Sequence, residues 1–273
     1  MLADTSQEEL ASGKGSDTLL CWGLVFLAFA LPLVLLPACT DFYTIPKTLL
    51  LHVVVLTGLL RVAGPARNDR TRICLTSLSL PLLAMLGIGL ASLVGARLPW
   101  AGVEAAWRLW NGIVLYHLAV AAFSFAPARR PLLVAMGLSV FPVAIYGVLQ
   151  VMGIDFLLLA RRGVPVSSLG NTGFVAEYLV AALPIALGLT VKGGRAHLFA
   201  ACVILGIIHL LLTESRAGWL GIALAFGILI LSPRSVFRGD AARLRLRRLG
   251  LVSFVVVLAL AFLVPDLGST SLA

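Results

Sequence analysis

Charge is scarce in this sequence. Acidic and basic residues make up 12% of its 273 residues, against about a quarter in a soluble domain. That scarcity excludes an ordinary water-facing surface over most of the chain. Cysteine is sparse too: Cys21, Cys39, Cys74 and Cys202 stand far apart, without metal-ligand spacing. Such scatter supports neither a disulfide framework nor a zinc site. The histidines His52, His117, His197 and His209 form no HExxH-like pair, and a metal site has no support. There is no Gly-rich phosphate loop, no G-x-S-x-G elbow and no nucleophile triad. Basic residues are nowhere interleaved with aromatics as on a nucleic-acid surface, so the net charge of +9 does not point to nucleic acid. LPAC at 36–39 has the outline of a lipobox. The apolar run before it is too long for a signal-peptide core and its leading tail is acidic, so that run reads as a retained span.

What is present is apolar length. The chain is 60% hydrophobic with a mean hydropathy of +1.04, and its apolar runs approach the roughly 20 helical residues that cross a hydrocarbon core. These runs predict an all-α, polytopic membrane protein with about nine helices: 18–37, 47–63, 75–96, 106–126, 131–152, 173–191, 197–213, 217–232 and 251–265. Residues 1–17 read as a disordered cytoplasmic tail, 18–265 as the transmembrane domain, and 266–273 as the start of an extracytoplasmic segment. Pro32, Pro81, Pro142 and Pro184 fall within spans, where such breaks are tolerated if neighbours satisfy the freed backbone groups.

Orientation follows from the basic residues. With the N-terminus inside, fifteen of the 21 Lys and Arg lie on inner segments and six outside. This bias predicts a cytoplasmic N-terminus and an extracytoplasmic C-terminus. RGDAARLRLRRLG (238–250) is the strongest inner cluster and reads as an anchor on anionic membrane lipids.

The six outer cations are Lys47, Arg97, Arg108, Arg161, Arg162 and Arg216. Each alone is explained as an interfacial anchor; together they could form an electropositive pocket, with guanidinium forks suited to phosphate. In LLLTESRAGWLG (210–221), Thr213 to Arg216 become the outer turn of a helical hairpin, with Ser215 as candidate cap. A cation at a helix start opposes the dipole, so Arg216 needs another reason to be there, and an anion supplies one. Glu214 is its expected local partner. In ARRGVPVSSLGNTGFVAEYLVAALPIAL (160–187), Asn171 or Thr172 is a candidate cap, and Glu177, inside the span, needs an outer arginine or a wet cavity. His209 lies one turn before Thr213, beneath the hairpin. Trp100, Trp107 and Trp110 read as an interfacial belt.

Three stretches carry a family resemblance: PKTLLL with Lys47, SLGNTGFVAEYLVAALPIAL, and LLLTESRAGWLGI with its Ser-Arg pair. The last two are similar to the Gly-Asn-x-x-x-x-Ala-x-Tyr-Leu and Thr-x-Ser-Arg-Gly/Ala patterns of the bacterial O-antigen ligase and polymerase superfamily. The resemblance covers about residues 18–265. It implies a C-type glycosyltransferase membrane fold that moves a glycan from undecaprenyl diphosphate to an acceptor sugar, such as the lipid A-core or another glycan, on the extracytoplasmic face. It implies no cofactor, with neither metal nor nucleotide sugar at this step. Outer arginines would hold the donor pyrophosphate: Arg216 matches the motif arginine, and Arg161 or Arg162 the one upstream of Gly170-Asn171. A diphosphate leaving group needs positive charge where its negative charge develops.

Two departures are plain. The family's second loop asparagine is Gly173 here. The family also continues into a large outer loop, whose histidine helps activate the acceptor hydroxyl, and into further spans; all four histidines here precede that point. The chain therefore reads as a fragment, as one half of a split gene with a separately encoded C-terminal half, or as an inactive copy. The alternatives to a transferase are a transporter or translocase of an anionic or lipid-linked substrate, and a non-catalytic membrane partner. A transporter would favour internal repeats and ionisable residues through the midplane. An open reading frame beyond codon 273, encoding a His-bearing loop and more spans, is expected if the chain is a fragment; sequencing that DNA tests it.

Overall fold

A computed structural model describes residues 14–63, 75–123, 129–156, 163–190 and 195–231, together with the isolated helical positions Leu244, Leu251 and Val255. The described residues are all-helical. Eight α-helices follow one another: α1 Lys14–Ala30, α2 Thr44–Ala63, α3 Ser79–Ala91, α4 Pro99–Phe123, α5 Arg129–Val151, α6 Thr172–Thr190, α7 Ala196–Leu212 and α8 Arg216–Leu231. Short 3₁₀ turns occupy Ser92–Gly95 and Ser167–Leu169.

Among the described residues, three helices are long and apolar enough to cross a membrane: Thr44–Val62, Arg129–Val151 and Thr172–Thr190. Others are apolar but shorter, among them Ala196–Leu212 and Arg216–Leu229. Along α2, Leu49, Val53, Leu56 and Leu60 form an exposed stripe at helical spacing, a surface suited to lipid rather than water.

Several boundaries differ from the sequence expectation for local reasons. The first helix begins at Lys14 and stops at Ala30, well short of residue 37. Pro32 disfavours helical dihedrals at the residue before it and lacks an N–H. The chain then turns, and Leu33 and Val34 both donate to the Ala30 carbonyl. Pro99 opens α4 at its first position, where a missing N–H costs nothing. Pro142 and Pro184 lie inside α5 and α6, which continue through them. The expected ninth span and the basic cluster at 238–250 fall almost wholly outside the described residues.

The chain divides into two compact units. The first comprises residues 1–27 and 48–130. Its core gathers Leu20 and Leu24 of α1, Val55 of α2, and Val114, Leu118 and Ala122 of α4. In α2, Gly58 admits the Leu118 side chain so closely that an added Cβ would lie 2.6 Å from it. Thr76, Ser79, Tyr116 and His117 form a partly buried polar chain in the same unit, with Ser79 Oγ 3.0 Å from His117 Nε2.

The second unit comprises residues 28–47 and 131–273. Its core packs Val140 and Ala144 of α5 with Val175, Leu179 and Leu183 of α6, Cys202 and Leu210 of α7, and Ile222 and Phe226 of α8. Glycines set how closely these helices approach. An added Cβ on Gly206 would lie 2.5 Å from Leu183, and one on Gly218 would lie 2.8 Å from the Ala176 Cβ. Gly221 in turn faces Val180. Because 218 meets 176 and 221 meets 180, α6 and α8 run parallel. Their N-termini therefore stand side by side, an arrangement of two like dipole ends. Gly218→Val should cost about 1–3 kcal/mol by forcing these helices apart. Thermal unfolding in detergent reads this out, and an unchanged midpoint would contradict the close parallel contact.

Candidate functional site

The two side-by-side helix starts are each capped by the sequence that precedes them. Gly170 takes a left-handed φ of 79°, which glycine tolerates. Asn171 follows and its Oδ1 accepts the Gly173 N–H at 2.7 Å, while the Asn171 carbonyl takes the first helical bond from Val175. At α8, Ser215 Oγ accepts the Gly218 N–H at 3.2 Å and the Ser215 carbonyl takes the Trp219 N–H. Both are side-chain N-caps.

The hairpin before α8 is closed by Glu214, whose φ of 54° is left-handed. Trp219 fastens it, donating its indole N–H to the Leu210 carbonyl at 3.2 Å. Glu214 and Arg216 are both exposed, yet no ion pair joins them. The expected local neutralisation of Arg216 is thus absent: Glu214 stands in the left-handed turn before the Ser215 cap and Arg216 at the first helical position after it. Arg216 stands open at the first helical position. Glu177 is exposed on α6 without an ion pair among the described residues, and its expected partners Arg161 and Arg162 lie outside them.

Lys47 is the main correction to the sequence reading. Its ammonium donates to the Ser168 carbonyl at 2.6 Å, the Val34 carbonyl at 2.8 Å and the Tyr43 carbonyl at 3.3 Å. An ammonium has three protons, and all three are used. Lys47 is therefore a strut tying three backbone stretches together, rather than an open phosphate ligand. Nearby, Asp41 starts α2. Its Oδ1 accepts the N–H groups of Thr44 at 2.9 Å and Tyr43 at 3.2 Å. These bonds, from Thr44 first, with the Lys47 charge as a smaller cause, hold the Asp41 carboxyl below its ordinary range.

The segment 163–170 is latched from several sides. Ser167, at a left-handed φ of 49°, gives its N–H to Gln150 Oε1 and its hydroxyl to the Val143 carbonyl, both at 2.7 Å. Ser168 donates its hydroxyl to the Pro32 carbonyl at 2.6 Å. His209, fully buried on α7, donates Nε2–H to the Pro165 carbonyl at 3.2 Å. Gly147 of α5 makes room for that imidazole, since any Cβ there would collide with the ring. Tyr43 packs its ring on Gly170. Burial, and secondarily the Asp155 carboxylate, push the Tyr43 phenol above its ordinary pKa. Tyr146 donates its hydroxyl to Asp155 Oδ1 at 2.6 Å.

Sequence reading singled out His209 and Lys47 but missed Tyr43, Gln150, Ser167 and Ser168. The signal was present as polar residues scattered among apolar ones; what they bond to was not.

Arg97 and Arg108 belong to the first unit, where Arg108 pairs with Glu104 one turn back on α4. Trp100, Trp107 and Trp110 are exposed on the same helix, and Trp107 donates its indole N–H to His52 Nε2 at 2.9 Å. Among the described residues no three His, Cys, Asp or Glu side chains gather as metal ligands. No family model, curated protein or solved structure matches this chain.

Two measurements follow. Lys47→Met should lose about 1.5–3 kcal/mol, the usual worth of a hydrogen bond to a charged group, and should raise protease cleavage between residues 31 and 43. Because the folded pKa of Asp41 is depressed, its contribution is present above the ordinary carboxylate range and lost as pH falls through the lower folded value. Asp41→Asn should flatten the acid limb of a stability–pH curve; an unaltered limb would remove Asp41 from the account.

Proposed function

We propose that the chain is part or all of a multi-span glycosyltransferase of the O-antigen ligase and polymerase type. It sits in the bacterial inner membrane with its N-terminus cytoplasmic and its outer helix starts facing the extracytoplasmic side. It moves a glycan from undecaprenyl diphosphate to an acceptor sugar. The observation that carries the reading is the pairing of α6 and α8: two parallel, capped helix N-termini side by side, with Arg216 open at one of them.

Two positive dipole ends side by side repel one another, and a bound anion relieves that repulsion. A pyrophosphate fits, because its oxygens take N–H groups and a bidentate guanidinium together. The chemistry needed is modest: as the glycosidic C–O bond to the diphosphate breaks, negative charge grows on the leaving oxygen, and fixed positive groups stabilise it. Arg216 is the principal clamp, with Arg161 and Arg162 as further donors. Asn171 and Ser215 hold the two helix starts in place. Lys47 acts indirectly, by fixing the 163–170 segment that leads into α6.

Arg216→Ala should abolish surface-glycan attachment while leaving membrane abundance at the wild-type level. Arg216→Lys should restore it only partly, since an ammonium lacks the guanidinium fork. Unchanged glycan banding in Arg216→Ala would sink the proposal.

A further inference from the structure

Trp100, Val103, Glu104 and Trp107 recur at i, i+3, i+4 and i+7 on α4, a spacing that puts them on one face of the helix. With Ala101 they line an open groove of about 560 Å³. The indoles are well exposed, 83% at Trp100 and 53% at Trp107, and Glu104 stands between them along the helix. Trp107 is held in place: its N–H goes to His52 Nε2 at 2.9 Å, and the two rings sit 5.7 Å apart, tilted by 48°. That bond uses the indole N–H while the ring still lines the groove.

Glu104 decides what the groove can take. Exposed tryptophans settle at a membrane interface whatever the lipid, but an acid between them faces the phosphate layer and is repelled by it. A carboxylate flanked by two indoles is instead a setting for a cation, drawn by the charge and by the ring quadrupoles together. Among the described residues Glu104 bonds through Oε1, to Arg108 one turn on, and its Oε2 is open. Both side chains are 63% exposed, and an ion pair so exposed is weak enough to exchange partners.

Glu104 and Arg108 thus present a negative and then a positive charge, about 6 Å apart along the helix. A phospholipid with an ammonium headgroup carries the complementary pair, an ammonium joined by two carbons to a phosphate. A primary ammonium has N–H donors for the carboxylate; a trimethylated one has none. A lysine on a protein partner would meet Glu104 but leave Arg108 unanswered.

We propose that this groove seats the headgroup of a primary-ammonium phospholipid, a phosphatidylethanolamine, with its ammonium between the indoles at Glu104 and its phosphate at Arg108. The groove lies within the first unit, and its occupancy depends neither on Arg216 nor on the transferase reading.

Native mass spectrometry of the full chain in detergent reads the preference directly. The chain is offered an equimolar mixture of phosphatidylethanolamine, phosphatidylcholine and phosphatidylglycerol with matched acyl chains. Phosphatidylethanolamine should be retained over each of the others by about fivefold, the combined size of a surface cation–π contact and an exposed ion pair. Glu104→Gln keeps the side-chain shape and should abolish that preference. Trp100→Leu keeps an apolar side chain but removes a π-face, and should cut the preference about twofold. Preference is a ratio within one sample, so a variant that folds less well still gives an answer. Equal retention of all three lipids overturns the proposal, as does phosphatidylcholine held as tightly as phosphatidylethanolamine. So does a preference that survives Glu104→Gln or is untouched by Trp100→Leu. A lysine-rich peptide is offered in a parallel sample. If it binds in a Glu104-dependent way while phosphatidylethanolamine shows no preference, the groove docks a protein and the lipid proposal falls.

Discussion

Irregular backbone in an apolar chain must find its hydrogen-bond partners within the protein, and that constraint organises the second unit. Residues 31–43 and 163–170 leave helical geometry, and their backbone groups need partners that a helix no longer supplies. Some of their carbonyls accept backbone N–H groups in turns, and five are met by side chains: Lys47 reaches three of them, Ser168 and His209 one each. Besides Ser168, partners come from the flanking helices: α2 brings Lys47, α5 Gln150 and α7 His209. Helix packing and loop position are consequently a single problem. Moving α7 outward would release Pro165, and moving α2 would release Val34 and Ser168.

The same economy explains the glycines. Gly147 makes room for the His209 ring, and Gly218 and Gly221 let α8 approach Ala176 and Val180 of α6 closely. Burial of Leu179, Leu183, Leu210 and Phe226 holds the helices together, while the glycines decide how near they come. The parallel arrangement of α6 and α8 is the costly element of this packing. Its two adjacent positive ends are capped by Asn171 and Ser215, and they give Arg216 a setting in which an anion would be welcome.

Part of this was legible from sequence. The apolar runs located all eight described helices, because long uncharged stretches leave a strong trace in sequence. Their ends were less legible: the stop at Ala30 depends on Pro32 and on a turn closed by Leu33 and Val34. Capping by Asn171 and Ser215 could be anticipated because it uses residues two or three apart. The fate of Lys47 could not, since its strongest acceptor is the Ser168 carbonyl, 121 positions away. Pairing of Glu214 with Arg216 looked natural in one dimension, and the left-handed turn at Glu214 removed it.

By itself, the sequence determined an all-helical, apolar chain, the order of its described elements, the local caps, and a short list of cations set apart from the densest basic cluster. Those properties depend on neighbours within a helical turn or on composition, which is why one dimension suffices. Only the tertiary structure decided which of those cations are occupied and which are open, and that α6 and α8 run parallel. It alone showed that Tyr43, Gln150 and His209 grip one segment. Long-range hydrogen bonds and close helix contacts are fixed by positions in space, and a carbonyl looks the same in sequence whichever lysine reaches it.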